Sequence, residues 1–276
     1  MLTVPCNANK LIAAVTAANT AGGGVINLTP WCRYKLTAPV PGTTQDGLPP
    51  VTTRITVNGN HATIDGTGTV RVFEVDGPGG NLTLNNVTIT GGSADIGGGI
   101  ENAGGRVTLN FSTVTRNTAT EAGGGIASAT FSPSSVAKLT LNFSRVTGNS
   151  QTETAGTTPG TGGLGGGGIV TILGKAILNN SEVSGNTAMG PVGGGIANGD
   201  YINTPPGSSS FLTLNNSRVT GNSAPNAGGG GIQNLAGTVT VNNSQVNDNT
   251  SLNGGGISSG PGNGGVPPPL VKLAVL

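Results

Sequence analysis

The residues able to do acid–base chemistry crowd into one part of a chain that otherwise has few. Of 276 residues only 8% are Asp, Glu, Lys or Arg, 12 basic and 11 acidic. Eight of those charges, Arg71, Glu74, Asp76, Asp95, Glu101, Arg106, Arg116 and Glu121, fall between positions 71 and 121, where a uniform spread would place about four. When the chain is aligned on a recurrent Gly-Gly-Gly-Ile tetrad, Val75 falls on Ile100 and Asp76 on Glu101, one rung apart in the same outward column. Two carboxylates that close cannot both ionise freely, so one pKa should rise, which prepares an acid and a base. Glu74 and Asp95 lie near the same face with Arg71, which completes the catalytic candidates Asp76, Glu101, Glu74, Asp95 and Arg71. Glu121 and Arg116, with Asp200 and Tyr201 on a long loop, are candidate ligand contacts. The chemistry such a set performs is proton transfer of lyase, hydrolase or cyclase type, with no redox cofactor. Solvated surface and a bound cation are the competing readings for the same acids.

The elements that must hold these residues are repeats. An apolar-Thr-apolar-Asn segment starts at Asn81, Arg106, Lys138, Lys175, Phe211 and Thr238, each followed by Ser-x-Val or its equivalent, an Asn, and Gly-Gly-Gly-Ile. The intervals are 25, 32, 37, 36 and 27 residues. Short pieces that keep register while the unit length varies mean fixed strands and variable loops, the pattern of a solenoid. Alternation of period two, as in Leu212/Leu214 and Val239/Val241, argues strand rather than helix. Three short strands per unit with no room for a crossover helix make each unit one coil of a parallel β-helix, an all-β fold in which equivalent residues stack about 4.8 Å apart.

Stacking accounts for the composition. Asn85, Asn110, Asn142, Asn179, Asn215 and Asn242 form one column and Asn117, Asn149, Asn186, Asn222 and Asn249 another, both at corners. Their amides can bond from coil to coil, and Asn tolerates the left-handed backbone of a corner. Ile100, Ile126, Ile169, Ile196, Ile232 and Ile257 form an inward stack, with glycines before them where backbones come close. Arg145, Glu182 and Arg218 alternate in sign down one exposed column and need no function to explain them.

The N-terminal region has a different texture. Residues 9–19 place Leu11, Ile12, Val15 and Ala18 at helical spacing, and Gly22-Gly23-Gly24 ends the helix. Such a helix caps the open end of the solenoid, which would otherwise expose core and strand edge. Cys6 and Cys32 are the two cysteines and bracket it. A disulfide is the expected state, over two free thiols or a catalytic cysteine, and would stabilise the cap by roughly 3–4 kcal/mol. An oxidised pair implies an extracytoplasmic compartment, secreted or cell-surface. Met1 is followed at once by Leu-Thr-Val-Pro-Cys, so either no signal peptide is used or one has been removed. Residues 37–50, rich in Pro, Gly and Thr, read as a loop. The organisation is therefore 1–50 as cap (helix, cysteine pair, first coil and loop) and 51–276 as solenoid.

Net charge +1 offers no basic face for nucleic acid, and no apolar run approaches the length that spans a bilayer. His61 sits in an insertion at a corner, better read as locally bonded than as a general base. Zinc-ligand spacing is missing, no serine has a histidine partner in sequence context that would suggest a triad, and the Gly tetrads lack the aspartate of the calcium-binding nonapeptide. No metal or cofactor is expected. Long loops at 127–137, 150–164 and 197–210 could wall a groove or serve as passive connectors. The apolar segment 270–276 could close the last coil or pair with another chain.

Val4-Pro5-Cys6, the Ala-rich helix, Gly22-Gly23-Gly24-Val25-Ile26-Asn27-Leu28 and Cys32-x-Tyr34-x-Leu36-Thr37 resemble the start of secreted bacterial right-handed parallel β-helix proteins of the pectate-lyase-like superfold. The Gly-Gly-Gly-Ile and Ser-x-Val-x-x-Asn units resemble repeats of the polymorphic outer-membrane protein family. The resemblance implies a right-handed coil. It leaves function open, because that fold carries lyases, hydrolases, epimerases and adhesins alike. Two classes follow. One is an enzyme holding an extended glycan or small molecule across a sheet face, with carboxylate acid–base catalysis. The other is a non-catalytic adhesin or cell-envelope module. An aromatic content of 3% argues against sugar stacking, and the like-charge pair and uneven loops favour the enzyme.

Overall fold

The computed structural model describes residues 3–130, 136–152, 165–190, 192–199, 210–226, 228–235, 237–260 and 270–274. Among these, every ladder between successive coils is parallel, and the chain winds as a β-helix with one capping α-helix. The right-handed sense implied by the resemblance is the one that parallel crossover connections adopt almost without exception.

Three sheets form, of 16, 7 and 6 strands. The largest carries two ladders, one of Leu-Thr-Leu-Asn segments and one of Ser-x-Val segments. They meet at a corner that the continuous strands Arg54–Asp65 and Asn81–Thr90 turn without interruption. The 7-stranded sheet stacks the isoleucine segments from Phe73–Asp76 to Ile257–Gly260. The 6-stranded sheet, which the repeat pattern did not disclose, stacks segments such as Thr118–Ala122 and Ser150–Gln151 just after the second asparagine column. Its strands shrink to two residues, too short for alternation to show.

Leucines and valines of alternate positions fill the core: Leu82, Leu84, Leu109, Leu139, Leu141 and Leu214 are fully buried, each contributing roughly 1.5–3 kcal/mol relative to exposure. The glycines of the tetrad sit where adjacent coils nearly touch. A Cβ on Gly124 would lie 2.3 Å from the Ser150 carbonyl oxygen and 2.5 Å from that of Gly167.

Both asparagine columns are hydrogen-bonded ladders, and they run in opposite directions. In the first, each Nδ2 donates to the Oδ1 one coil earlier, from Asn58 to Asn27 through Asn242 to Asn215, at 2.8–2.9 Å. In the second, Asn117, Asn149, Asn186 and Asn222 each donate to the next coil at 2.9 Å. The left-handed backbone expected at these asparagines belongs to their neighbours instead. Trp31, His61, Asn86, Phe111, Phe143, Asn180, Asn216 and Asn243 form one corner column, all with φ between 46° and 64°. In the first column, from Asn85 on, the residue after the ladder asparagine makes the turn, whereas in the second the residue before it does: Arg116, Gly148, Gly185, Gly221 and Asp248.

The cap is as expected, with its start one residue earlier than the apolar spacing indicated. The helix is Ala8–Thr20, its first turn capped by the Asn7 side chain, which accepts from the Lys10 N–H at 3.2 Å. Leu11, Val15 and Ala18 face the core. Cys6 and Cys32 are disulfide-bonded with Cα atoms 5.6 Å apart. The strand Thr3–Val4 pairs with Asn27 and Leu28, and the Tyr34 hydroxyl donates to the Val4 carbonyl at 2.7 Å. Near the other end, Leu270–Ala274 pairs in register with Thr238–Asn242 as a further rung of the leucine ladder. None of the described helices is long and apolar enough to cross a membrane.

Candidate functional site

The isoleucine ladder presents the acidic candidates, in a register two residues from the one expected. Phe73, not Val75, stands opposite Ile100, so Glu74 is the partner of Glu101, and Asp76 faces Ala103. The expected Asp76/Glu101 pair is therefore corrected to Glu74/Glu101. The reason is packing: the Phe73 ring takes the inward place that isoleucine holds in later coils, fully buried, without a Gly-Gly-Gly tetrad ahead of it to mark the position. Asp76 is exposed at the strand end.

The column beyond Glu101 was expected to face outward. It holds Ala127, Val170 and Ala197, all buried, and these pack with Ala122, Ile172 and Val192 into a second apolar cluster outside the main core. Ile96 pairs with Ala122, which bridges Gly165. Glu74, Glu101 and Arg71 lie at the polar end of this covered strip, which is why carboxylates on an outer sheet face lose solvent.

Arg71 is the centre of the cluster. Its Nη2 donates to Glu101 Oε2 at 2.6 Å, and Nη1 donates to Asp46 Oδ1 at 2.6 Å and lies 3.6 Å from Glu74 Oε2. Nε donates to the Ile96 carbonyl at 3.1 Å. The Arg71 and Asp46 side chains are 8% and 6% exposed, whereas those of Glu74 and Glu101 are 23% exposed. Asp46 was not among the sequence candidates. It comes from the 37–50 loop, held to Arg71 through its backbone as well: the Arg71 N–H donates to the Gln45 carbonyl at 2.7 Å and the Gly47 N–H to the Arg71 carbonyl at 2.8 Å. A signal was present, because Asp46 precedes Arg71 by 25 residues, the interval that separates Asn81 from Arg106.

Three carboxylates about one guanidinium carry a formal charge of −2 if all ionise, in a place where burial penalises charge. The Glu74 carboxyl is pushed up to about 7, first by desolvation, then by its hydrogen bond to Asp46 and the Asp46 charge, with Arg71 opposing. A hydrogen bond between two carboxyls needs a proton on one of them. Burial also raises Glu101, against the pull of Arg71. The cluster can therefore hold and release a proton near neutral pH, with Glu74 the member farthest from the guanidinium.

The other candidates disperse. Asp95 is tied to the same loop, its N–H donating to Gln45 Oε1 at 2.9 Å, while Gln45 Nε2 and Thr120 Oγ1 donate to its carboxylate. Glu121 is half-buried in the strand Thr118–Ala122. Arg116 is exposed at the corner after the Ser-x-Val ladder with φ 54°, away from the cluster. Asp200 and Tyr201 lie outside the described residues. So do 131–135, 153–164 and 201–209, which make up most of the three long loops, while Ala127, Ser150 and Ala197 belong to ladders. His61 sits at its corner as expected, bonded to the Asn86 amide at 3.1 Å and stacked on Trp31. Among the described residues no group of three His, Cys, Asp or Glu is arranged to hold a metal ion.

No family model matches the chain, the polymorphic outer-membrane repeats included, and no curated protein matches it. Among solved structures, pectate lyase Pel9A aligns with a TM-score of 0.43 and 16% identity over 84% of this chain. The chain spans 64% of the length of that structure, and no residue role is carried across from it. What the ladders themselves establish is an all-β parallel β-helix with one capping helix.

Proposed function

We propose that the protein is an extracytoplasmic β-helix that binds an extended ligand beside the isoleucine ladder and moves protons with Glu74. The observation that carries this reading is the placing of Glu74, mostly buried opposite Glu101 and 3.6 Å from the Arg71 guanidinium, where burial and the neighbouring Asp46 push its carboxyl up to about 7. Near neutral pH both its forms are populated, which is where a general acid or base works best. Arg71 is buried and turns a donor from each of its nitrogens to Asp46, Glu101 and the Ile96 carbonyl, so it positions the carboxylates rather than gripping substrate. Glu74 takes or gives the proton, and the Glu101–Arg71 pair sets the field around it. Lyase, hydrolase and cyclase chemistry all need that step and no redox cofactor. The Cys6–Cys32 disulfide supports an oxidising, extracytoplasmic setting.

The test is a turnover screen over pH 4–8 with plant and microbial glycans and small-molecule extracts, on the wild type, Glu74→Gln and Asp76→Asn. Turnover with an apparent pKa near 7 that falls at least a hundredfold in Glu74→Gln and survives in Asp76→Asn supports the proposal. Equal turnover in wild type and Glu74→Gln sinks it.

A second reading has its own observation. The same contacts staple the 37–50 loop to the first coils, a structural role that a non-catalytic envelope module would also need. It predicts that Glu74→Gln changes stability and leaves ligand binding untouched.

A further inference from the structure

The left-handed corner column contains a choice of residue that folding does not explain. At this position Asn180, Asn216 and Asn243 are what the backbone prefers, since a short amide side chain is well suited to positive φ. Phe111 and Phe143 adopt the same conformation, with φ of 51° and 50°, where a bulky side chain is strained. Nor are the rings buried in return: Trp31, Phe111 and Phe143 are 76%, 65% and 55% exposed. Strain without burial, repeated on one edge of the molecule, points to a ligand.

The rings form two stacks. Trp31 lies on His61 with centroids 4.4 Å apart and planes 7° apart, and Phe111 lies on Phe143 at 5.1 Å and 6°. Asn86 occupies the rung between the stacks. His61 and Phe111 are therefore two rungs apart, about 9.6 Å by the strand spacing. A cavity of about 220 Å³ opens there, walled by His61 and Phe111 and floored by Asn86, Thr88 and Thr113. Carbon contacts of about 4 Å on each side leave a gap thicker than a flat ring fills and suited to a puckered, saturated one.

We propose that this corner binds a neutral pyranose glycan, one sugar seated in the slot over Asn86 with its faces on His61 and Phe111 and the chain leaving the slot across the helix axis. C–H faces of a pyranose pack on aromatic rings, and the amide and hydroxyls of the floor serve its hydroxyl groups. On the far side of the Phe111–Phe143 stack lies a separate groove of about 450 Å³ lined by Phe143, Asn180 and Asn216, with Arg145, Glu182 and Arg218 along its side. The alternating charges give no uniform field for a polyanion. The corner lies across the leucine strand from Glu74, roughly 17 Å for five residues of strand, so this inference stands apart from the acid–base proposal.

Trp31 is the single tryptophan of the chain and reports on the slot directly. Its fluorescence would be titrated with cellohexaose, chitohexaose, mannohexaose and hexagalacturonate, on the wild type, Phe111→Asn, Phe143→Asn and Asn86→Phe. We expect a saturable change with at least one neutral hexasaccharide and none with hexagalacturonate. Affinity should fall at least tenfold in Phe111→Asn, which removes a wall, and in Asn86→Phe, which fills the slot. Phe111→Asn should be at least as stable as wild type, because Asn suits this backbone, so lost binding cannot be laid to misfolding. No response to any neutral glycan, or unchanged affinity in both variants, would overturn the proposal. So would sedimentation showing wild-type dimers that Phe111→Asn abolishes, which would make the corner a self-association surface.

Discussion

Glu74 and Glu101 are register partners on adjacent coils, and one guanidinium, that of Arg71, lies between them with Nη1 toward the first carboxylate and Nη2 on the second. Like charges stand opposite each other on a sheet only where something offsets their repulsion. Here it is offset from two sides, by Arg71 and by the proton that burial favours on Glu74.

That proton sets the pH dependence of stability. Glu74 titrates at about 7 in the folded protein against 4.5 as the ordinary value, so the folded state binds more protons than the unfolded state between those limits. Its contribution is full below about pH 4.5 and is lost as pH rises through 7. Glu101 is shifted in the same direction and adds to the slope. Urea unfolding midpoints measured from pH 4 to 8 should decline in the wild type and flatten in Glu74→Gln.

Arg71→Met should be among the most harmful single changes in the first coils. It strands the Asp46 and Glu101 carboxylates, both 2.6 Å from the lost guanidinium, and breaking such a pair from one side costs about 3–5 kcal/mol. Asp46→Asn is milder and informative in another way. It removes a charge that raises Glu74, so the Glu74 pKa, followed by carbon-detected NMR, should fall from about 7 toward the usual carboxylate range. A Glu74 pKa unchanged in Asp46→Asn would mean that burial alone sets it.

The two asparagine ladders should differ in worth. Asn149 is buried, donates to Val114 and Asn186, and accepts from both the backbone and side-chain N–H groups of Asn117. Asn149→Ala leaves several buried groups without partners, at about 1–3 kcal/mol each. The Asn142 side chain is half-buried and, among the described residues, bonds along its ladder, to Asn110 and from Asn179, so Asn142→Ala should cost about 1 kcal/mol. Chemical denaturation of the two variants side by side gives the comparison, and hydrogen exchange should place the loosening in the coils flanking Asn149.

Reduction of Cys6–Cys32, or Cys6→Ser with Cys32→Ser, releases the segment that carries Thr3–Val4 and the capping helix. The chain-entropy estimate is a loss of roughly 3–4 kcal/mol. Because contacts in a solenoid reach only neighbouring coils, proteolysis should begin at the N-terminal coils and leave the later ladders protected. Uniform loss of protection along the chain would contradict a local cap.

The sequence by itself determined the leucine, Ser-x-Val and isoleucine ladders, though not the short-stranded third sheet. Leu139 opposite Val107, Asn142 opposite Asn110 and Ile126 opposite Ile100 follow from short motifs whose spacing is local and whose alternation is covalent. The capping helix and the disulfide were legible for the same reason, since helical spacing and a cysteine pair are short-range signals. Tertiary structure alone decided the site. Phe73 replaced isoleucine in the core and moved the acid pair from Asp76 to Glu74. The 37–50 loop brought in Asp46, whose sequence surroundings carry no repeat motif. Trp31, Phe111 and Phe143, few enough to be discounted in the composition, were gathered on one corner by a left-handed backbone. Strand register depends on a residue's immediate neighbours. Burial, a shared proton and the meeting of distant coils depend on the path of the whole chain, and no local pattern records them.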